Sequence, residues 1–363
     1  MNWNPFSKIF PPKKFLGIDI GSYSIKIVEI SHSANKKKLI NYGSVSSTIF
    51  SEKPFRNFEK KNILFSTQDI VKGIKSILLE AKIDTRKAIF SVPDFLTFFT
   101  NFELPSMKQE ELPMVIQYEA KQHIPLPLKE VTLSWQIIKG KFLNERGYNP
   151  TEHKKIKVLL VAVSNEIINQ YQEIARLSNL ELVSLEAEVF SLTRPLVMKN
   201  EKEVIALVEV GARSTTCTLI NNGILENSYS IEMSSEEFDR AIVEKFNINF
   251  FEAEKLKKEQ GLLQKEGEIS HLLFPLIDVI VNEVQKIFYN FFQKEGKDIQ
   301  KVILAGGAVL LPGLKEYFQD KLKKEVVIFQ PFASLEYPPF LEETLKEIGP
   351  SYAIAVGAAL HKK

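Results

Sequence analysis

The chain has 363 residues, 44% hydrophobic and 25% charged, which is the composition of a globular protein long enough for two domains and a substantial core. Forty-seven basic against forty-five acidic residues leave a net charge of +2, so no overall field attracts nucleic acid or an anionic membrane and any partner is met by local shape. The one cysteine, Cys217, excludes an internal disulfide and suits a reducing cytoplasm, and the five histidines (His32, His123, His153, His271, His361) lack neighbours at zinc-ligand spacing.

Residues 1–13 read as a flexible leader without the apolar core of a signal peptide. Trp3, Phe6 and Phe10 with Lys8, Lys13 and Lys14 make at most a short interfacial anchor, because Pro5, Pro11 and Pro12 prevent a longer helix. Phe15 to Ile30 is an apolar run, a tight Gly-Ser turn and a second run rich in Ile and Val, hence a buried β-hairpin. A strand is expected over Lys38–Val45, and the polar stretch Ser51–Asn62 has no apolar period and is expected to be a loop. Ile70, Ile74, Ile77, Leu78 and Ala81 share one face of a helix that opens near Thr67.

Lys87 to Leu104 reads as two β segments, followed by a helix through Ile116 to His123. Ser106 and Gln109 look like a capping box, but Pro113 inside a helix begun there would cost about 3 kcal/mol, which predicts a kink or a later start. A hairpin over Val131–Ile138 and Ile156–Val163 encloses the polar loop Lys139–Lys155. A helix over Asn165–Ser178, a strand over Glu181–Leu185 and a helix over Val189–Val197 complete the first half, and Lys199–Glu203 is the expected link. The longest apolar stretch, Leu272 to Val281, is broken by Pro275 and Asp278 and falls short of the roughly 18 residues that cross a bilayer.

Residues 205–220, IALVEVGARSTTCTLI, align without gaps on LGIDIGSYSIKIVEI from Leu16, placing Asp19 over Glu209 and Gly21 over Gly211. A strand, an acidic residue, a spacer, a glycine and a returning strand thus head each half, as after a duplication around a cleft. A glycine turn between buried strands offers backbone N–H groups to phosphate oxygens, and an adjacent carboxylate can hold Mg²⁺ through water. Asp19, Gly21 and Ser22, with Lys26 on the returning strand, form one candidate site, and Gly211 with Glu209 forms its counterpart. A third glycine turn, at Gly306, Gly307 and Ala308 in VILAGGAVLLPGL, would let an adenine or ribose lie against the backbone.

In this order the three sites resemble the two phosphate motifs and the adenosine motif of the actin, Hsp70 and sugar-kinase superfamily. The resemblance implies an α/β, actin-like (ribonuclease H-like) duplicated fold that binds ATP and Mg²⁺ in the cleft. It nominates Glu254 and Lys257 for adenosine contacts, Ser234 and Ser235 for the phosphate segment within SSEEFD, and Gly357 as the closing glycine. Glu186 and Glu188 fall where related proteins position the attacking water, with a surface role as the alternative; no general base is nominated.

The run EAKQHIPLPLKEVTLSWQI, residues 119–137, narrows the resemblance to the PilM family of type IV pilus assembly proteins, and the similarity extends from Lys14 to the end. It implies a cytoplasmic scaffold at the inner face of the membrane, associated with it indirectly. The implied partner is the cytoplasmic tail of a PilN-type protein, alongside other inner-membrane pilus proteins and self-association. The implied layout is a first domain over 14–198 with an inserted subdomain at about 86–160, a second domain over 199–349 with a helical subdomain at about 233–299, and a returning helix over 350–363.

Phe95, Phe98, Phe99 and Phe102 lie in one β-like run, so its two faces both carry aromatics; either Phe98 or Phe99 is expected to point outward and meet the tail. Two departures bear on turnover. Glu209 stands where the superfamily has Asp, and Ser234-Ser235 replace two glycines, so ATP binding is expected with slow or absent hydrolysis. The alternatives are an FtsA-like division protein, which typically carries a C-terminal membrane helix where this chain stops at His361-Lys362-Lys363, and a sugar kinase, for which no substrate domain is visible.

Overall fold

The computed structural model describes residues 13–33, 36–46, 66–139, 155–197, 203–264 and 267–361. The leader, the stretch Ser51–Asn62, and most of the Lys139–Lys155 and Lys199–Glu203 segments lie outside the described residues.

The first lobe opens with β1 (Lys13–Ile20), β2 (Ser24–His32) and β3 (Lys37–Ser46), an antiparallel meander whose apolar runs are buried on both faces. Helix α1 (Thr67–Glu80) starts at Ser66, whose hydroxyl accepts from the Asp69 N–H at 3.1 Å, and it buries Ile70, Ile74, Ile77 and Leu78. Strand β4 (Lys87–Val92) then pairs parallel to β1.

Strand β5 (Thr97–Leu104), α2 (Leu112–His123), β6 (Val131–Lys139) and β7 (Ile156–Ser164) make a separate small sheet in the order β5-β7-β6. Helix α2 begins late, with Pro113 in its first turn where no N–H is needed, which resolves the clash between capping signal and proline. The chain returns through α3 (Asn165–Leu177), β8 (Glu181–Ala187) and α4 (Glu188–Val197), giving the five-stranded order β3-β2-β1-β4-β8.

The second lobe repeats this plan. Strands β9 (Val204–Val210), β10 (Thr215–Asn221) and β11 (Ile224–Ile231) form the meander, and α5 (Ser235–Phe246), α6 (Phe250–Gln260) and α7 (Glu268–Glu295) follow as a helical insertion. Strand β12 (Lys301–Ala305), α8 (Leu314–Leu322) and β13 (Glu325–Ile328) complete a sheet in the order β11-β10-β9-β12-β13, which matches the first sheet strand for strand. Helices α9 (Glu342–Ile348) and α10 (Ala353–Ala359) end the fold.

Alternation along β1 divides the first lobe into two layers. Leu16, Ile18 and Ile20 pack with Ile70 and Ile74 of α1 and Tyr171 and Ile174 of α3. Gly17 faces the other way, where α10 presses so closely that a Cβ would lie 2.0 Å from the Ala355 carbonyl oxygen. At Gly357 the same helix meets α4, and a Cβ there would stand 1.7 Å from the Ser191 carbonyl oxygen. Leu192 and Leu196 of α4 pack in turn against Ile205, Leu207 and Ile303 of the second sheet, so α4 and α10 fill the space between the sheets.

Both faces of the small sheet are engaged within the chain. Phe98 and Phe102 pack with Ile116 and Ala120 of α2, whereas Phe99 joins Leu159 and Val161 of β7, Val189 and Phe190 of α4, and Leu225 of the second lobe. The outward aromatic face expected on β5 is therefore shared between two internal contacts, with Phe98 and Phe99 each half-buried. A buried ion pair fastens the same junction. Lys157 Nζ of β7 lies 2.5 Å from Glu226 Oε2 of β11, each side chain 8% exposed, and the Asn221 amide donates to the other Glu226 oxygen at 3.1 Å. No helix among the described residues is long and apolar enough to cross a membrane.

Candidate functional site

The two meanders bring their turns face to face. In each, the glycine N–H donates to the serine carbonyl three residues on, Gly21 to Ser24 at 3.1 Å and Gly211 to Ser214 at 3.0 Å, so both acid-x-Gly turns have one geometry. Between them lies a cavity of ≈ 390 Å³, a size suited to a small-molecule ligand. Asp19, Gly21, Ser22, Lys26, Glu209, Gly211, Ser235, Glu254, Lys257, Gly306, Gly307 and Ala308 all line it.

Asp19 sits at the floor because it lies one residue before the end of β1, directly opposite Lys26 in the hairpin register. Its carboxylate is 3.7 Å from Lys26 Nζ, is only 3% exposed, and has a buried oxygen, Oδ1, without a hydrogen-bond partner. Burial outweighs the attraction of Lys26 and raises the Asp19 carboxyl above its ordinary value. Across the cleft, Glu209 is pushed up to about 8 by burial and then by the charges of Asp19 and Asp94.

Two further carboxylates stand at the floor, Glu188 in the lining and Asp94 directly behind it. Asp94 follows Pro93 at the end of β4, and Glu188 begins α4 just after β8, which pairs parallel to β4; this adjacency brings them together from 94 residues apart. The Asp94 N–H donates to Glu188 Oε2 at 3.3 Å. Burial raises Asp94 to about 6, and burial with repulsion from Asp19, Asp94 and Glu209 raises Glu188 well above the usual range. Asp94 carries no turn motif that marks it in the sequence, and the only available signal is its position at a strand's C-terminal end.

Glu186 has a different role. Arg194 grips both its oxygens, at 2.6 and 2.5 Å, and His361 Nδ1 lies 3.1 Å away, which ties β8 to α4 and the end of α10. Neither Glu186 nor Glu188 is a surface carboxylate.

The remaining nominated residues are held by partners. Ser234 lies beneath the lining, fully buried, where it caps α5; its hydroxyl donates to the Ala212 carbonyl at 3.0 Å and contacts Glu237. The N–H groups of Ser235 and Glu236 donate to the Gly211 and Ala212 carbonyls, each at 3.1 Å, so the start of α5 is already spent on the second glycine turn. Lys257 pairs with Asp239 at 2.5 Å, and Glu254 accepts from Lys258 at 2.7 Å and from the Tyr23 hydroxyl. Arg213, on the second turn, places its guanidinium 4.8 Å from the centre of the Phe95 ring.

The third glycine turn divides its labour. Gly306 has φ +94°, and a Cβ there would meet the Val210 carbonyl oxygen at 2.4 Å, so this position serves the turn itself. At Gly307 an added Cβ would meet nothing within 4 Å, so the open backbone faces free space.

Two topologically matched lobes with paired acid-x-Gly turns across a deep cleft define an actin-like protein. The family described as type IV pilus assembly protein PilM matches residues 17–363. The chain therefore belongs to the PilM family and is an actin-like type IV pilus assembly protein. The solved PilM-PilN type IV pilus biogenesis complex superposes with a TM-score of 0.82 at 24% identity, covering 96% of this chain and 98% of that one. MreB5 of Spiroplasma citri bound to AMPPNP gives 0.51 at 12% identity, covering 95% and 94%. By sequence, the cell division protein FtsA of Bacillus subtilis (strain 168) is 19% identical over 356 residues, 87% of this chain and 78% of that protein.

Proposed function

We propose that this chain is the ATP-binding cytoplasmic scaffold of a type IV pilus inner-membrane platform and that it docks the cytoplasmic tail of a PilN-type protein. The observation that carries the nucleotide half is the orphaned, buried Oδ1 of Asp19 between two glycine turns that expose backbone to the cavity. An anionic phosphate chain needs N–H donors and a cation, and the floor supplies both Lys26 and a place for Mg²⁺. Asp19 and Glu209 would hold that ion through water.

When bound, Mg²⁺ supplies charge neutralisation at the phosphates. The chain's own residues orient and enclose: Gly307 leaves room against the backbone, and Glu254 and Lys257 border the nucleoside side. Hydrolysis is slow in this reading. Burial and the neighbouring carboxylates hold Glu188 well above the usual carboxylate range, and the α5 N–H groups are already committed. Calorimetric titration of ATP with Mg²⁺ is expected to show one site per chain, lost in Asp19→Ala; a flat titration of the wild type overturns the nucleotide half.

The docking half rests on the likeness to the PilM-PilN complex and on the small sheet, which projects from the first lobe with β5 and β6 as its edges. An extended tail adds to such an edge or lies beside it, with the exposed part of either Phe98 or Phe99, on opposite faces of β5, as its apolar seat. A synthetic tail peptide from the cognate PilN-type protein is expected to bind, and Phe98→Ala or Phe99→Ala to weaken binding about tenfold. No binding in either nucleotide-free or ATP-loaded protein overturns this half.

A further inference from the structure

The lobes touch at places of very unequal strength. At the β7–β11 junction, the buried Lys157–Glu226 pair is backed by the apolar cluster of Leu159, Val161, Val189 and Leu225. In the middle, α4 and α10 pack between the sheets over Leu192, Leu196, Ile205 and Ala353. Over the cleft, by contrast, the direct contacts are slight: Tyr23, at the tip of the first glycine turn, donates to Glu254 Oε2 on α6, 231 residues away, and the Arg213 guanidinium rests on the Phe95 ring.

Tyr23 and Glu254 both line the cavity, so their contact spans its mouth. The Glu254 carboxylate is doubly occupied, with Oε1 accepting from Lys258 at 2.7 Å and Oε2 from Tyr23. Burial raises the Tyr23 phenol above its ordinary value, and Glu254 raises it further, so the hydroxyl keeps its proton and remains the donor across the physiological range.

We infer that Tyr23 and Glu254 form a latch between the lobes, which has to break before a cleft ligand can enter or leave. Opening takes place where the fastening is weakest. Separation over the cleft breaks one part-buried hydrogen bond and the cation–π contact of Arg213 with Phe95, whereas separation at the other two contacts would expose a buried ion pair or an apolar core. The lobes accordingly swing about the α4–α10 layer and the Lys157–Glu226 side, and the first glycine turn moves with Tyr23. The Tyr23 hydroxyl sets the rate of exchange more than the affinity, because its bond joins protein to protein and its loss leaves Glu254 and Lys257 in place beside the ligand.

This inference rests on the nucleotide reading for its ligand but not for its mechanics, and two measurements separate them. In stopped-flow exchange of a fluorescent ATP analogue, Tyr23→Phe is expected to speed dissociation at least tenfold, the factor associated with a hydrogen bond to a charged acceptor. Association rises in parallel, so the equilibrium constant moves much less. In a Glu254→Leu background, which has already lost the acceptor, adding Tyr23→Phe speeds dissociation no further, since both remove the same bond. In hydrogen exchange on nucleotide-free protein, amides of residues 21–24 become faster in Tyr23→Phe while those of β7 and β11 are unchanged. An unchanged dissociation rate, or additive effects in the double variant, overturns the latch. If the wild type binds no nucleotide, the cleft reading fails, and unchanged exchange at residues 21–24 would then overturn the latch independently.

Discussion

Replacing Glu209 by glutamine removes one charge from a crowded floor and keeps the side chain's size. Burial, followed by repulsion from Asp19 and Asp94, raises the Glu209 carboxyl from 4.5 to about 8. In the unfolded chain the group titrates near its ordinary value, so between these limits the native state holds a proton that the unfolded state has released. The stability conferred in this way is fully present below pH 4.5 and is lost as pH rises through about 8. At about 1.4 kcal/mol per pH unit the interval sets a ceiling of about 5 kcal/mol. Sharing of protons with Asp94 and Glu188 leaves on the order of 3 kcal/mol for Glu209 itself. Glutamine cannot ionise, so Glu209→Gln is expected to flatten the curve. Urea unfolding of nucleotide-free protein, followed by circular dichroism from about pH 5 to about pH 8.5, tests this; at the upper end the variant should exceed the wild type by roughly 3 kcal/mol. Equal slopes in the two proteins would refute the argument from charge crowding.

The same floor predicts proton release when ATP and Mg²⁺ bind at neutral pH, because a cation favours the ionised carboxylates; calorimetry in buffers of different ionisation enthalpy reads it, and buffer-independent heats would count against it. Gly307→Val is expected to leave the melting temperature unchanged and to reduce ATP affinity at least tenfold, since its side chain enters space that no protein atom occupies within 4 Å. Gly357→Ala, by contrast, sets a methyl 1.7 Å from the Ser191 carbonyl oxygen and should destabilise the fold by about 3 kcal/mol, visible as a lower urea midpoint. Lys157→Met leaves the Glu226 carboxylate buried and unpaired, for an expected loss of about 3–5 kcal/mol, and adding Glu226→Leu should restore most of it. A double variant no more stable than the single one would point to lost packing instead.

The doubled turn was legible in the sequence because one short pattern does two jobs: alternating apolar residues commit both strands to a sheet, and acid-x-Gly fixes the turn and the carboxylate beside it. The helices α1 and α3 were equally visible, each opened by a serine cap and carrying an apolar stripe. The start of α2 was decided by sterics, Pro113 overriding an apparent capping box. What stayed hidden depended on pairing across long separations. Asp94 and Glu188 meet only because β4 and β8 lie side by side, and Tyr23 reaches Glu254 only because the lobes close. Glu186 carried the same local signal as Glu188, yet Arg194 two turns along α4 takes it out of the cleft. Phe98, Phe99 and Phe102 showed that β5 is apolar on both faces but not that Phe190 and Leu225 would lie against one of them, and Phe95 falls outside the strand, in the short 3-10 turn that precedes it.

The close fit of α10 on β1 has a consequence for biosynthesis. The layer that covers Gly17 is supplied by Ala355 and Ala359, more than three hundred residues later. A ribosome therefore releases the first sheet long before its second face is covered, and Val28, Ile30 and Phe15 wait for α10 throughout translation of the second lobe. The two lobes repeat one plan in space but are not autonomous in time, and a nascent first lobe is a natural client for a chaperone until the last helix arrives.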